Sequence, residues 1–292
     1  MADRWHDEGM HAQFPFPSRS SRQPRTGFFS VVAVSAAALL LAGCGTNPST
    51  SNDAQPKEPQ RLTPTVVADF PWDSTSFTQG LEVDANGDLI VSTGMYGQSR
   101  IYRTNLAGGQ RDSQDLPPEQ FGEGLTRTGD TVWQLTWKAG TAIKRNAHTL
   151  KETGTASYDG EGWGLCALPG KLVMSDGSGD LTFRDPDTFD ATGTLTVTNN
   201  GAATTMLNEL ECVADGPLAG VWANVWQSDE IYRIDPESGQ VTAAVEASGL
   251  LTEQEAAQAD VLNGIAHIPG TDRMYLTGKY WPRVFEVEFT GQ

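Results

Sequence analysis

Phe121-Gly122-Glu123-Gly124-Leu125-Thr126 decides how the rest of the chain is read. A carboxylate stands between two glycines at the head of an apolar run. Glycine keeps the backbone open and leaves no neighbouring side chain to cover the acid. Variants of the phrase recur as Gln79-Gly80-Leu81-Glu82, Trp163-Gly164-Leu165-Cys166, Asn208-Glu209-Leu210-Glu211 and Asn263-Gly264-Ile265-Ala266. Their apolar anchors are Leu81, Leu125, Leu165, Leu210 and Ile265, separated by gaps of 44, 40, 45 and 55 residues. After each anchor come a polar turn and a short apolar strand, such as Leu89 to Thr93 or Met274 to Gly278. A strand of alternating charge follows, as in Arg100 to Asn105, Glu230 to Asp235 and Arg283 to Glu288.

Turn residues at short, regular intervals between alternating runs make this an all-β chain. Five units of about 45 residues predict a five-bladed β-propeller, each blade a four-stranded sheet, over residues 64–292. The longest gap holds the one helical pattern, Thr252 to Ala259. Thr65 to Phe70 is a strand left over before the first anchor. Pairing it with Val284 to Phe289 would close the ring and leave no long sheet edge exposed.

The chain has 292 residues and a formal net charge of −17. That balance argues against nucleic acid, whose phosphates call for a basic face. It suits a soluble domain kept apart from its copies by charge, and a monomer is expected. At the N-terminus, Arg19, Arg22 and Arg25 precede the apolar run Phe28 to Leu41, too short to span a bilayer comfortably. The run ends in Leu41-Ala42-Gly43-Cys44, the pattern of a bacterial lipoprotein box. Residues 1–43 read as a signal peptide and Cys44 as the lipidated residue, holding an exported protein to the outer face of the cell membrane. An ordinary signal peptide, with Cys44 a bystander, is the other reading. Residues 44–63 are rich in Ser, Thr, Asn, Pro and charge and read as a disordered tether. Export favours a disulfide between Cys166 and Cys212 over two buried thiols. Both fall on inner strands of consecutive blades, one register apart.

In a propeller the starts of the inner strands converge on one end of the central channel. Phe77, Gln79, Phe121, Glu123, Glu161, Trp163, Asn208, Glu209 and Asn263 would gather there, with Trp137, Trp226 and Lys279 delivered by the second strands. Apolar walls with a few convergent polar groups suit a small-molecule site. Each residue also has a plainer use. Trp72, Trp133 and Trp222 read as core, and Asn and Gln before a strand cap turns. Glu123 resists such a reading, because an acid among tryptophans is costly unless used. A salt bridge with Lys279 is the structural alternative for both. The histidines His6, His11, His148 and His267 are scattered, and no metal-ligand spacing, nucleophile elbow or phosphate loop is present in the sequence. No cofactor is expected.

Taken in order, Phe77 to Leu81, Ser92 to Ser99, Phe121 to Thr126, Gln134 to Lys138 and Gly160 to Leu165 resemble the plant-type and bacterial glutamine cyclotransferases. So do Met174 to Ser178, Leu207 to Leu210, Ala223 to Gln227, Leu262 to Ala266 and Thr277 to Pro282, and the match runs from about residue 65 to 289. The resemblance implies a five-bladed propeller acting on peptides or proteins with N-terminal glutamine. It implies conversion of that residue to pyroglutamate with loss of ammonia, without zinc. The family's catalytic glutamate falls on Glu123 and its lysine on Lys279. Its substrate-binding residues fall on Phe77, Gln79, Phe121, Trp137, Trp163, Asn208 and Trp226. The segment Asp215 to Gly220 is longer than the family pattern. Gln79, Asn208 and Lys279 are the candidate donors to a tetrahedral oxygen. A non-catalytic, lipid-anchored binding module and a metal-dependent propeller hydrolase are the alternatives.

Overall fold

The computed structural model describes residues 58–107 and 109–291. The readings of residues 1–43 and of Cys44 lie outside them. No helix among the described residues is long and apolar enough to cross a membrane.

The chain opens with β1 (Gln60–Pro71) and then builds antiparallel four-stranded sheets in sequence order. The first is β2 (Thr78–Val83), β3 (Leu89–Thr93), β4 (Arg100–Thr104) and β5 (Gln110–Asp115). The second is β6 (Gly122–Thr128), β7 (Thr131–Thr136), β8 (Thr141–Asn146) and β9 (Glu152–Ser157). The third is β10 (Leu165–Leu168), β11 (Lys171–Ser175), β12 (Asp180–Arg184) and β13 (Ala191–Thr196). A small hairpin follows, β14 (Thr198–Asn199) with β15 (Ala202–Ala203). The rest are β16 (Leu207–Val213), β17 (Gly220–Val225), β18 (Glu230–Ile234), β19 (Val241–Glu246), β20 (Leu262–His267), β21 (Arg273–Gly278) and β22 (Arg283–Gly291). With β1 they form one eight-stranded sheet, ordered β16-β17-β18-β19-β1-β22-β21-β20. The helix in the longest gap is α1 (Glu253–Ala256), shorter than its sequence pattern. Thr252 and Glu255 cap its N-terminus reciprocally.

β1 explains why two units merge. Its body pairs antiparallel with β22, Thr65 opposite Glu288 and Phe70 opposite Val284, with a bulge between Val66 and Ala68. This is the closure expected from the leftover strand. Its first residues also pair in parallel with β19, Gln60 opposite Ala243 and Leu62 opposite Val245. The strand therefore begins inside the stretch whose polar composition reads as tether. Leu62, at 5 % exposure, is the apolar residue that pins this end into the core.

The first strands form a closed circuit: β2 packs on β6, β6 on β10, β10 on β16, β16 on β20, and β20 on β2. Leu81, Leu125, Leu165, Leu210 and Ile265 are each at most 1 % exposed, so the repeated anchors are core residues. Burying each contributes about 2 kcal/mol. Trp133 and Trp222 are core as expected, whereas Trp72 packs only at the edge of an apolar cluster. Outermost strands such as β5 and β9 are polar and largely exposed. Cys166 on β10 and Cys212 on β16 are bonded, with Cα atoms 5.3 Å apart, so the one-register offset does not prevent the bridge. A crosslink closing a loop of this length contributes about 2–4 kcal/mol.

Candidate active site

The polar residues at the hub stand where the first strands are irregular. In four of the first hairpins the register slips at the same place: between Thr78 and Gly80, Gly122 and Leu125, Leu207 and Leu210, and Leu262 and Ile265. The skipped residues include Gln79, Glu123, Asn208 and Asn263. A bulge re-aims side chains and leaves backbone N–H groups without ladder partners. Side chains take up some of those donors. Glu209 accepts from Leu81 N at 3.3 Å and from Ile265 N at 2.8 Å, and Asn224 Oδ1 accepts from Gly264 N at 2.9 Å. Glu209, one of the acids expected at the mouth, thus ties three first strands together.

The glycines beside Glu123 have packing reasons that the sequence reading did not supply. A Cβ on Gly124 would lie 2.6 Å from Leu165 N and 2.7 Å from Trp163 O, and one on Gly122 would lie 2.6 Å from Thr93 O. Glycine is required there by the close approach of neighbouring strands rather than by openness around the acid.

A second set of residues is held at one height by a repeated backbone bond. Trp137 N donates to Phe121 O at 2.9 Å, Trp226 N to Met206 O at 2.8 Å, and Lys279 N to Val261 O at 3.0 Å. Each donor directly follows the second strand of its unit. This is the common level that the repeats predict for Trp137, Trp226 and Lys279.

Glu123 is 4 % exposed and Lys279 is 3 % exposed. Gln79 Nε2 donates to Glu123 Oε1 at 3.1 Å, and Glu123 Oε2 has no hydrogen-bond partner among the described residues. The Lys279 ammonium is more than 4.0 Å from both oxygens, so the salt bridge weighed as an alternative is not formed. Lys279 Nζ instead lies 4.7 Å from the centre of the Phe77 ring. Burial pushes the Glu123 carboxyl well above the usual carboxylate range. The Lys279 charge pulls it back, and Glu161 pushes it further up. Burial lowers Lys279, opposed by Glu123 and Asp260. Asn208 Oδ1 is another buried acceptor without a partner among the described residues.

The buried Phe77 ring and the half-buried rings of Phe121, Trp137, Trp163 and Trp226 lie near this group. Phe121 meets Trp137 edge-on at 5.7 Å and Phe77 at 5.9 Å. Trp163 meets Trp226 at 5.5 Å and 88°. The tight turn at Gly177, with φ +83°, leaves room for the Trp163 ring, since a Cβ there would sit 2.6 Å from Cζ2. The structure therefore brings together Gln79, Glu123 and Lys279, and Phe77 with Phe121 and Trp137. It also brings Trp163 to Trp226.

Glu161 joins these walls. Its Oε2 accepts from Trp137 Nε1 at 2.6 Å and from Trp163 Nε1 at 3.0 Å, while Lys138 pairs with Oε1 at 3.6 Å. Sequence reasoning put Glu161 at the mouth without this role. Tyr280, 5.1 Å from Phe77, and Tyr96, 5.4 Å from Phe121, were missed, and no repeat marks them. Glu161→Leu removes the one oxygen that accepts from both indoles. It is therefore expected to raise KM about tenfold, the cost of an unsatisfied donor. Steady-state kinetics check this, and an unchanged KM would remove Glu161 from the walls' support. Among the described residues, no three His, Cys, Asp or Glu side chains are grouped to hold a metal ion.

A closed circuit of antiparallel sheets, with the buried Glu123 and Lys279 beside aromatic side chains at its hub, defines a propeller-like all-β protein. The family model described as glutamine cyclotransferase matches residues 35–289. A glutaminyl-peptide cyclotransferase of Arabidopsis thaliana is 36 % identical over 228 residues, covering 76 % of this chain and 70 % of that protein. The crystal structure of Myxococcus xanthus glutaminyl cyclase aligns with a TM-score of 0.72 at 37 % identity, covering 80 % of this chain and 100 % of that one. The chain belongs to the glutamine cyclotransferase family of enzymes.

Proposed function

We propose that this enzyme converts N-terminal glutamine of peptides and proteins to pyroglutamate, releasing ammonia, with Glu123 as the proton carrier and without a metal. The observation that carries the reading is the buried Glu123, with one oxygen held by Gln79 and the other without a donor among the described residues.

The substrate supplies both reacting groups. Its α-amine attacks its own side-chain amide carbon, forming the ring C–N bond. Closure is already intramolecular, so the pocket gains rate by holding one folded rotamer against the indoles. The attacking amine becomes acidic as the bond forms, and Glu123 takes its proton. Glu123 then returns that proton to the amide nitrogen, the C–N bond breaks, and ammonia leaves. Lys279 stabilises the tetrahedral oxygen. Asn208 Oδ1 accepts an N–H of the substrate. Gln79, a candidate donor to that oxygen on sequence grounds, acts first on Glu123, because one of its amide hydrogens is directed there.

We also propose a five-bladed propeller, dividing the eight-stranded sheet at the β1–β19 ladder; the circuit of first strands supports this division. Export as a monomer and lipid attachment at Cys44 are proposed on the sequence pattern alone. The test is ammonia release from a short peptide beginning with glutamine, with and without a chelator. Release unaffected by the chelator is expected. Loss on chelation would favour the metal-dependent hydrolase, and no release at all would favour a binding module.

A further inference from the structure

Gln79 meets Glu123 through one end of a carboxamide whose two ends have opposite effects. An N–H directed at a carboxylate favours its ionised form, and a carbonyl oxygen disfavours it. What fixes the choice is a third residue. The Thr78 carbonyl can only accept, so the atom of Asn263 that lies 2.9 Å from it is the donor Nδ2. The same Nδ2 lies 3.0 Å from Gln79, which therefore turns its Oε1 toward Asn263. Gln79 Nε2 is left facing Glu123 Oε1 at 3.1 Å. Asn263 is fully buried and Gln79 is 4 % exposed. The direction of the whole chain is set by a backbone carbonyl that cannot be reversed.

We propose that Asn263 is a positioning residue that locks the Gln79 carboxamide with its N–H toward Glu123, keeping the acid in the ionised form that takes the substrate's proton. The inference rests on the cyclotransferase reading above and deepens it. The other titratable groups that act on Glu123 are Lys279 and Glu161, and its charge is also felt by the Tyr158 phenol. The Asn263 side chain is hydrogen-bonded to none of the three, so a shift in the pH profile reports on the carboxamide.

Asn263→Leu keeps a similar volume and removes the donor. Gln79 is then free to turn its carbonyl to the acid. The acid limb of kcat/KM against pH is expected to move up by about one pH unit. A role confined to packing would lower Tm and leave the limb where it was. In a Gln79→Leu background, Asn263→Leu is expected to move the limb no further, because its only path to the acid is lost. Asn263→Ala, which only removes atoms, provides the same comparison if the leucine variant does not fold. An unmoved limb in a folded, active variant would overturn the proposal, as would an equal shift in the Gln79→Leu background. A wild-type chain that releases no ammonia would instead overturn the cyclotransferase reading, so the two failures are distinguishable.

Discussion

Glu123→Gln is expected to lower kcat for an N-terminal glutamine peptide by about a thousandfold or more, the range for removing a positioned acid–base group. The variant keeps the shape of the side chain and an acceptor oxygen for Gln79, whose Nε2 now donates to Glu123 Oε1. It removes a carboxyl that burial drives away from ionisation, so no loss of stability accompanies the loss of rate. Circular dichroism and Tm should match the wild type, and KM should change little. The residual rate reports what the aromatic walls and Lys279 provide on their own. A variant that folds and retains turnover within tenfold of wild type would remove Glu123 from the mechanism.

The second large effect belongs to Lys279, whose ammonium is buried beside the Phe77 ring rather than paired with the acid. Lys279→Met keeps the length of the side chain and removes the charge. Loss of a charge aimed at the developing oxyanion is expected to lower kcat about a hundredfold. A second consequence follows from electrostatics. Burial raises the Glu123 carboxyl and Lys279 opposes that rise, so removing the lysine favours the neutral acid. Glu123 must be ionised to accept a proton, so the acid limb of kcat/KM moves to higher pH in the variant. A lysine that served only as packing would cost stability and leave the limb unmoved. A fall in kcat without a shift would mean that the lysine contacts the substrate but does not act on Glu123.

The fold was largely legible because the anchors were. Leu81, Leu125, Leu165, Leu210 and Ile265 recur at gaps of 40 to 55 residues and are all at most 1 % exposed. The pairing of Thr65 to Phe70 with the last strand followed from an unmatched alternating run. The extension of β1 to Gln60 was not legible, since a parallel ladder of backbone bonds needs little from side chains and Leu62 alone marks it. The two Gly-Glu-Gly phrases show the same limit at the site. Glu123 precedes its anchor Leu125 by two residues and is buried inside a bulge. Glu161 precedes Leu165 by four, lies before the strand, and holds two indoles. Spacing to the anchor distinguishes them, but only coordinates show what each carboxylate meets. The polarity of the Asn263–Gln79–Glu123 chain was beyond sequence for the same reason. A carboxamide's direction is set by its partners in space.

The central claim is that the substrate's own amine is the nucleophile, with Glu123 carrying the proton. Mass spectrometry of two peptides beginning with glutamine, identical except that one has its α-amine acetylated, tests it most directly. The account predicts that the free peptide loses one ammonia and its reactive amine, while the acetylated peptide is untouched. Ammonia released from the acetylated peptide, leaving glutamate in place of glutamine, would show that water attacks instead and would contradict the account.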